Sequence, residues 1–290
     1  MTLDLFLQTV VNATYAASYM ALIAVGLVLI FGVMGVINFA HGELYMAGAY
    51  AVVALYAQSG FPFFLSVVVG LVFVGMLGLL MEYGLLRPLR DNPLGGLIAS
   101  IGFLLILQTL AVLQFGVQME HVPPSTQGKI VFGDGVVITY QRLYVVVATV
   151  VLLSALWLFL RNSKFGWALR ACAQDREAAA LQGMSINNTA RLAMFIGAAL
   201  AGVAGALTAP LVAPTPYMGH PVIITAFIII IVGGIGSLEG AVLAAILYAF
   251  VNTFVTTIYD GTLANIVGLL LMLVVLILKP TGLFGAKERA

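Results

Sequence analysis

The first Lys or Arg of this chain is Arg87, and what precedes it is apolar sequence broken only by short polar turns. The same texture continues through all 290 residues, which are 62% hydrophobic and 8% charged, with a mean hydropathy of +1.14. A soluble domain carries about 25% charge, so there is too little here to cover a water-facing surface. Apolar runs of about 20 residues match the thickness of a bilayer. In hydrocarbon each backbone amide must be satisfied within the protein, which a helix does by itself. The expectation is an all-α, polytopic transmembrane helical bundle of eight or nine spans, forming one domain over residues 1–290.

Spans are predicted at 8–34, 42–58, 62–86, 94–118, 143–160, 191–213, 222–235, 237–258 and 263–278. Turn chemistry separates them: Gly60 with Pro62, Pro88, Asp91 with Pro93, Pro123 with Pro124, Pro214 with Pro216, and Asp260 with Gly261. The N-terminus lacks the basic region of a cleaved signal, so the first segment is expected to stay as a span. Residues 119–142 form the largest secondary break, and Gly133, Asp134 and Gly135 within it suggest a small hairpin or lid. With these spans, ten of the twelve Lys and Arg residues fall on one side, and only Lys129 and Arg142 fall opposite. Positive charge stays in the cytoplasm. That places loop 161–191 and the C-terminus inside, and the N-terminus and loop 119–142 outside.

Residues 161–191 (RNSKFGWALRACAQDREAAALQGMSINNTAR) are the longest polar stretch and carry Arg161, Lys164, Arg170, Arg176 and Arg191. Asp175 is placed to cap a short helix, with Glu177 in its first turn, Ala178 and Ala179 propagating it and Gly183 ending it. Here Glu177-Ala178-Ala179 followed by Gly183 resembles the loop by which ABC-importer permeases dock on their ATPase. The flanking GWALRACAQD and ARLAMFIGAALAGVAGAL resemble the LivH/LivM family of branched-chain amino-acid permeases, as do INFAHGELYMAGAY at 37–50 and IVGGIGSLEGAVLAA at 231–245. This resemblance implies the permease subunit of an ABC importer for leucine, isoleucine and valine in a bacterial inner membrane. Its implied partners are a second, LivM-type permease, two cytoplasmic ATP-binding subunits and a periplasmic substrate-binding protein. Glu177 and Arg170 would then contact the ATPase, with Ala178 and Ala179 allowing close approach. Relatives of this type also move urea, short amides or small aromatic acids.

Two breaks inside apolar sequence are candidates for a pathway. One holds Asn38, His41 and Glu43; the other holds Gly234, Gly236 and Glu239. Polar groups in a bilayer favour a bundle interior or a cavity, and broken helices at matching positions of inverted halves mark transporter sites. An inverted repeat is expected on that ground. Taken singly, Asn38 and His41 are read first as caps of the helix that follows, and Glu43 and Glu239 as partners for nearby backbone or for each other. Gly42, Gly48, Gly202 and Gly205 are read as close-packing positions, and Glu82 as a charge snorkelling to the interface.

No GxxxxGK[ST] loop is present, so ATP chemistry would belong to partners. His41, His121 and His220 have no metal spacing, and neither a cofactor nor nucleic acid is expected. Cys172 lacks a histidine in its loop and is a poor nucleophile candidate. A stand-alone ion-coupled transporter using His41, Glu43 and Glu239 is the rival class, with a passive channel behind it.

Overall fold

A computed structural model describes residues 1–285 apart from 91 and 134. The turn at Asp91, the hairpin tip at Asp134 and the tail charges Lys287 and Arg289 lie outside the described residues. Among the described residues there are eleven α-helices and one two-stranded antiparallel sheet.

Helix α1 (Leu3–Met34) starts on the Thr2 side chain and stops at Gly35, whose φ of 65° lies in the left-handed region. α2 (His41–Val52) continues through wider π-type turns at Val53–Gln58. α3 (Phe63–Met81) ends in a similar stretch, Glu82–Leu86. The Asn92 side chain caps α4 (Pro93–Phe115), with proline tolerated in the first turn. Strands β1 (Lys129–Phe132) and β2 (Val136–Thr139) form the hairpin expected at 119–142. α5 (Tyr140–Asn162) leads into α6 (Lys164–Gln174) and α7 (Arg176–Leu181), and then α8 (Ile186–Thr208) returns through the bundle. α9 (Gly219–Gly233), α10 (Leu238–Ile258) and α11 (Gly261–Leu278) complete the chain.

Among the described residues, seven helices are long and apolar enough to cross a membrane: α1, α3 with its extension, α4, α5, α8, α10 and α11. This is fewer than the eight or nine spans expected. The segments read as 42–58 and 222–235 are α2, whose first turn is polar, and α9, whose 15 residues rise only about 22 Å.

α1 and α8 form the buried centre, and α5 and α11 lie at the periphery. Small residues bring the central backbones together. A Cβ on Gly26 of α1 would meet the Gly197 carbonyl of α8 at 2.6 Å. Gly48 of α2 abuts Gly202 of α8, Gly205 of α8 abuts Tyr45, and Gly42 abuts Gly219 at the start of α9. The four packing glycines read from the sequence therefore all sit at backbone-to-backbone contacts. The contacts also repeat. α1 packs on α10 as α8 packs on α3, α2 on α3 as α9 on α10, and α2 on α4 as α9 on α11. Helices α1–α4 and α8–α11 thus exchange places as a pseudo-twofold pair does.

Two ends of the bundle are distinct. At one, Gln8 exchanges hydrogen bonds with the backbone of Val137 (2.7 and 3.2 Å), and Glu120 N–H donates to the Pro214 carbonyl at 2.9 Å. At the other, Arg90 ion-pairs with Glu82 at 3.0 Å, with Arg191 at 3.9 Å from the same carboxylate. Glu82 is fully buried. It is not a snorkelling charge: its carboxylate turns inward because Arg90 and Arg191 meet it there.

Candidate docking and translocation sites

The polar loop folds as two helices where one was expected. Ser163 caps α6 by accepting from Gly166 N–H at 2.8 Å, and Leu169 and Cys172 are buried along one side of it. Asp175 then caps α7, accepting from Ala178 N–H at 2.9 Å, and Gly183 ends the turn with φ 79°. Both roles match the sequence reading. Glu177, Ala178 and Ala180 are exposed, and Leu181 is 88% exposed at the tip. Ala179 is buried instead, so it packs α7 onto its own chain and does not face outward beside Ala178. Arg170 is exposed on α6, its guanidinium 5.2 Å from the Trp167 ring centroid. Arg176, unremarked in the sequence beyond its charge, donates to the Met34 carbonyl at 3.0 Å. That bond ties the start of α7 to the end of α1, next to the break that leads into α2.

At this first break Asn38, His41 and Glu43 are all fully buried. Asn38 Oδ1 accepts from Ala40 N–H at 3.0 Å and shapes the turn. His41 donates from Nε2 to the Ile23 carbonyl at 3.0 Å, which orients its ring against α1. Glu43 Oε1 accepts from Gln108 Nε2 of α4 at 2.9 Å, and the same amide lies 2.8 Å from His220 Nε2 at the start of α9. Glu43 Oε2 has no hydrogen-bond partner among the described residues. A Cβ on Gly219 would strike the Glu43 carboxyl at 2.5 Å, so glycine is what lets α9 approach here. The first turns of the two short helices therefore meet across a polar trio: Glu43, Gln108 and His220. Gln108 and His220 were missed as site residues. A glutamine in the middle of the apolar run 94–118, well away from Gln114 and Gln118 at its end, was the available signal for the first.

The second group lies elsewhere. Gly234 and Gly236 take positive φ (103° and 89°) in the turn between α9 and α10, and Ser237 caps α10. Leu283 and Phe284 N–H donate to the carbonyls of Val232 and Gly233, so the end of the chain covers this turn. Glu239 is exposed in the first turn of α10 and is not the buried acid expected from its apolar neighbours. By the repeated contacts, the counterpart of the break at 35–40 is the turn at 209–218 that precedes α9, not the Gly-rich turn that follows it. Asn38, His41 and Glu43 are thus brought together with one another and not with Gly234, Gly236 or Glu239. Among the described residues no cluster of His, Cys, Asp and Glu is arranged to hold a metal ion.

A bundle of apolar helices, two of them short and joined at a buried polar seam, with an exposed helical loop at one end, has the build of a membrane permease. Its sequence relatives narrow that class. The model of the family described as branched-chain amino acid transport system / permease component matches residues 9–278, and the chain belongs to this family. It is 34% identical to the high-affinity branched-chain amino acid transport system permease protein BraD of Pseudomonas aeruginosa, over 98% of this chain and 97% of that protein. It is 33% identical to the LivH permease protein of the same kind of system in Escherichia coli K12, over 98% and 96% of the two chains. A chain of PsaBC from Streptococcus pneumoniae, solved in complex with Fab, shares the fold, with a TM-score of 0.55 at 13% identity over 94% of this chain and 92% of that one.

Proposed function

We propose that this chain is the membrane permease subunit of an ABC importer and carries leucine, isoleucine and valine inward across a bacterial inner membrane. The observation that carries the docking part is α7, a capped helix whose Glu177, Ala178 and Leu181 stand exposed on the loop richest in positive charge. The positive-inside rule puts that loop in the cytoplasm and the 129–139 hairpin outside. Two ATP-binding subunits seat there, one on this chain and one on a LivM-type partner permease, and they hydrolyse the ATP. A periplasmic binding protein delivers substrate to the hairpin side. Closure of the ATPases moves α7 as a rigid body, and Arg176 passes the movement to the end of α1. From there the chain enters the break that holds Asn38, His41 and Glu43, which line or gate the path. Gly234, Gly236 and Glu239 lie at its cytoplasmic end.

Co-purification tests this reading. The wild-type chain, taken from its native membranes in mild detergent, brings down a second permease and ATPase subunits identified by mass spectrometry. Glu177→Arg keeps the permease partner and loses the ATPases. A chain that comes down alone in both cases makes the loop a linker and favours an ion-coupled transporter.

A further inference from the structure

Along three turns, α9 turns one side toward open space. Met218, Pro221, Val222, Thr225, Ala226 and Ile229 recur at the three- and four-residue spacing of a single helix face, and all border a cavity of about 230 Å³. Met20 and Ile23 of α1 close it from the opposite side. Its deep wall, made by Ile23, Ala226 and Ile229, is buried, while Pro221 and Val212 at the mouth are exposed. The wall is mostly hydrocarbon. Of its three hydroxyl-bearing residues, Tyr45 is already bonded to Thr208 at 2.7 Å and Thr225 to Tyr248, and the third is Tyr19 of α1. Among the described residues no charged side chain lines it.

This open face lies on a short helix, beside the turn that mirrors the α1–α2 break. An apolar cavity of about 150 Å³ already holds a benzene ring. The space therefore admits a four-carbon aliphatic side chain, and its uncharged lining disfavours an ionised one.

We propose that the groove between α9 and α1 holds the aliphatic side chain of the substrate in transit, so that the permease itself selects for branched hydrocarbon. This rests on the reading of the chain as a branched-chain amino-acid permease. In an apolar pocket one methylene of mismatch changes discrimination by roughly tenfold or more, so altering the groove shifts the ratio of substrates.

The test is uptake by the complete importer in proteoliposomes, with its own binding protein unchanged. Val222→Phe narrows the groove at its half-buried edge and lowers leucine uptake relative to valine by about tenfold. Ile229→Ala deepens it and moves the ratio the other way. In the wild-type importer, a leucine carrying a diazirine in its side chain, photolysed during turnover, labels the 218–229 segment. Unchanged ratios in the variants, or a label placed away from that segment, overturn the proposal. So does selective labelling of the segment by a photoreactive phospholipid in place of the amino acid. A wild-type importer with no ATP-driven leucine uptake at all overturns the functional reading instead.

Discussion

One amide, that of Gln108, approaches both Glu43 and His220, partners 65 and 112 positions away in sequence. Those separations explain why the trio was hidden: nothing local marks either contact. Gln108→Leu leaves a buried carboxyl without its donor, at a cost of about 1–3 kcal/mol. The thermal unfolding midpoint of the detergent-purified protein falls, and Gln108→Asn recovers less than the wild-type value because its amide is one methylene shorter. Glu82 makes the same point with charge. It was read as an interfacial acid because Arg87 lies five positions on, but the folded chain brings Arg90 and Arg191 to it. Glu82→Ala removes the carboxylate that Arg90 and Arg191 share, while Arg90 keeps Asn187, and destabilises by about 1–3 kcal/mol, seen as a lower thermal unfolding midpoint of the purified protein. Asp175 and Gly183 were legible because cap chemistry is local.

Among the helices, hydropathy located each apolar segment, and packing decided how each one ends. α8 begins at Ile186, five residues before the predicted start, because Ser185 caps it through Asn188 N–H. α6 went unread: its apolar face is short, and Ser163 is an ordinary serine until it accepts from Gly166 N–H. The glycine contacts were legible as small residues in long apolar helices, although their partners were not. Gly48→Val places two methyl groups where the Gly202 backbone lies and forces α2 from α8. Overpacking costs about 1–3 kcal/mol in a core that adjusts, and backbone adjusts less than side chain. The variant is expected to unfold at markedly lower temperature than Gly84→Val, where a Cβ meets nothing within 4 Å.

Taken as one body, the molecule pairs α1–α4 with α8–α11 around the α1–α8 and α2–α9 contacts. The repeat was anticipated from two polar breaks, but the sequence pointed to the wrong second break. The Gly-rich turn at 233–237 carries stronger punctuation than the 209–218 turn, yet helix pairing assigns the latter to the break at 35–40. The charge distribution predicts which end faces which compartment. The single native cysteine, Cys172, is buried, so engineered cysteines report on a quiet background. In intact cells a membrane-impermeant maleimide labels Lys129→Cys on the hairpin without prior lysis. It labels Leu181→Cys on α7 only after the membrane is opened.

ATP-driven leucine uptake decides the account most directly. Proteoliposomes holding this chain, its partner permease and the ATPase subunits, with binding protein outside and ATP inside, are expected to accumulate leucine. Accumulation stops when the nucleotide is a non-hydrolysable analogue, and collapsing proton and sodium gradients leaves it unchanged. Leucine accumulation by this chain alone, driven by an ion gradient and indifferent to ATP, would contradict the account.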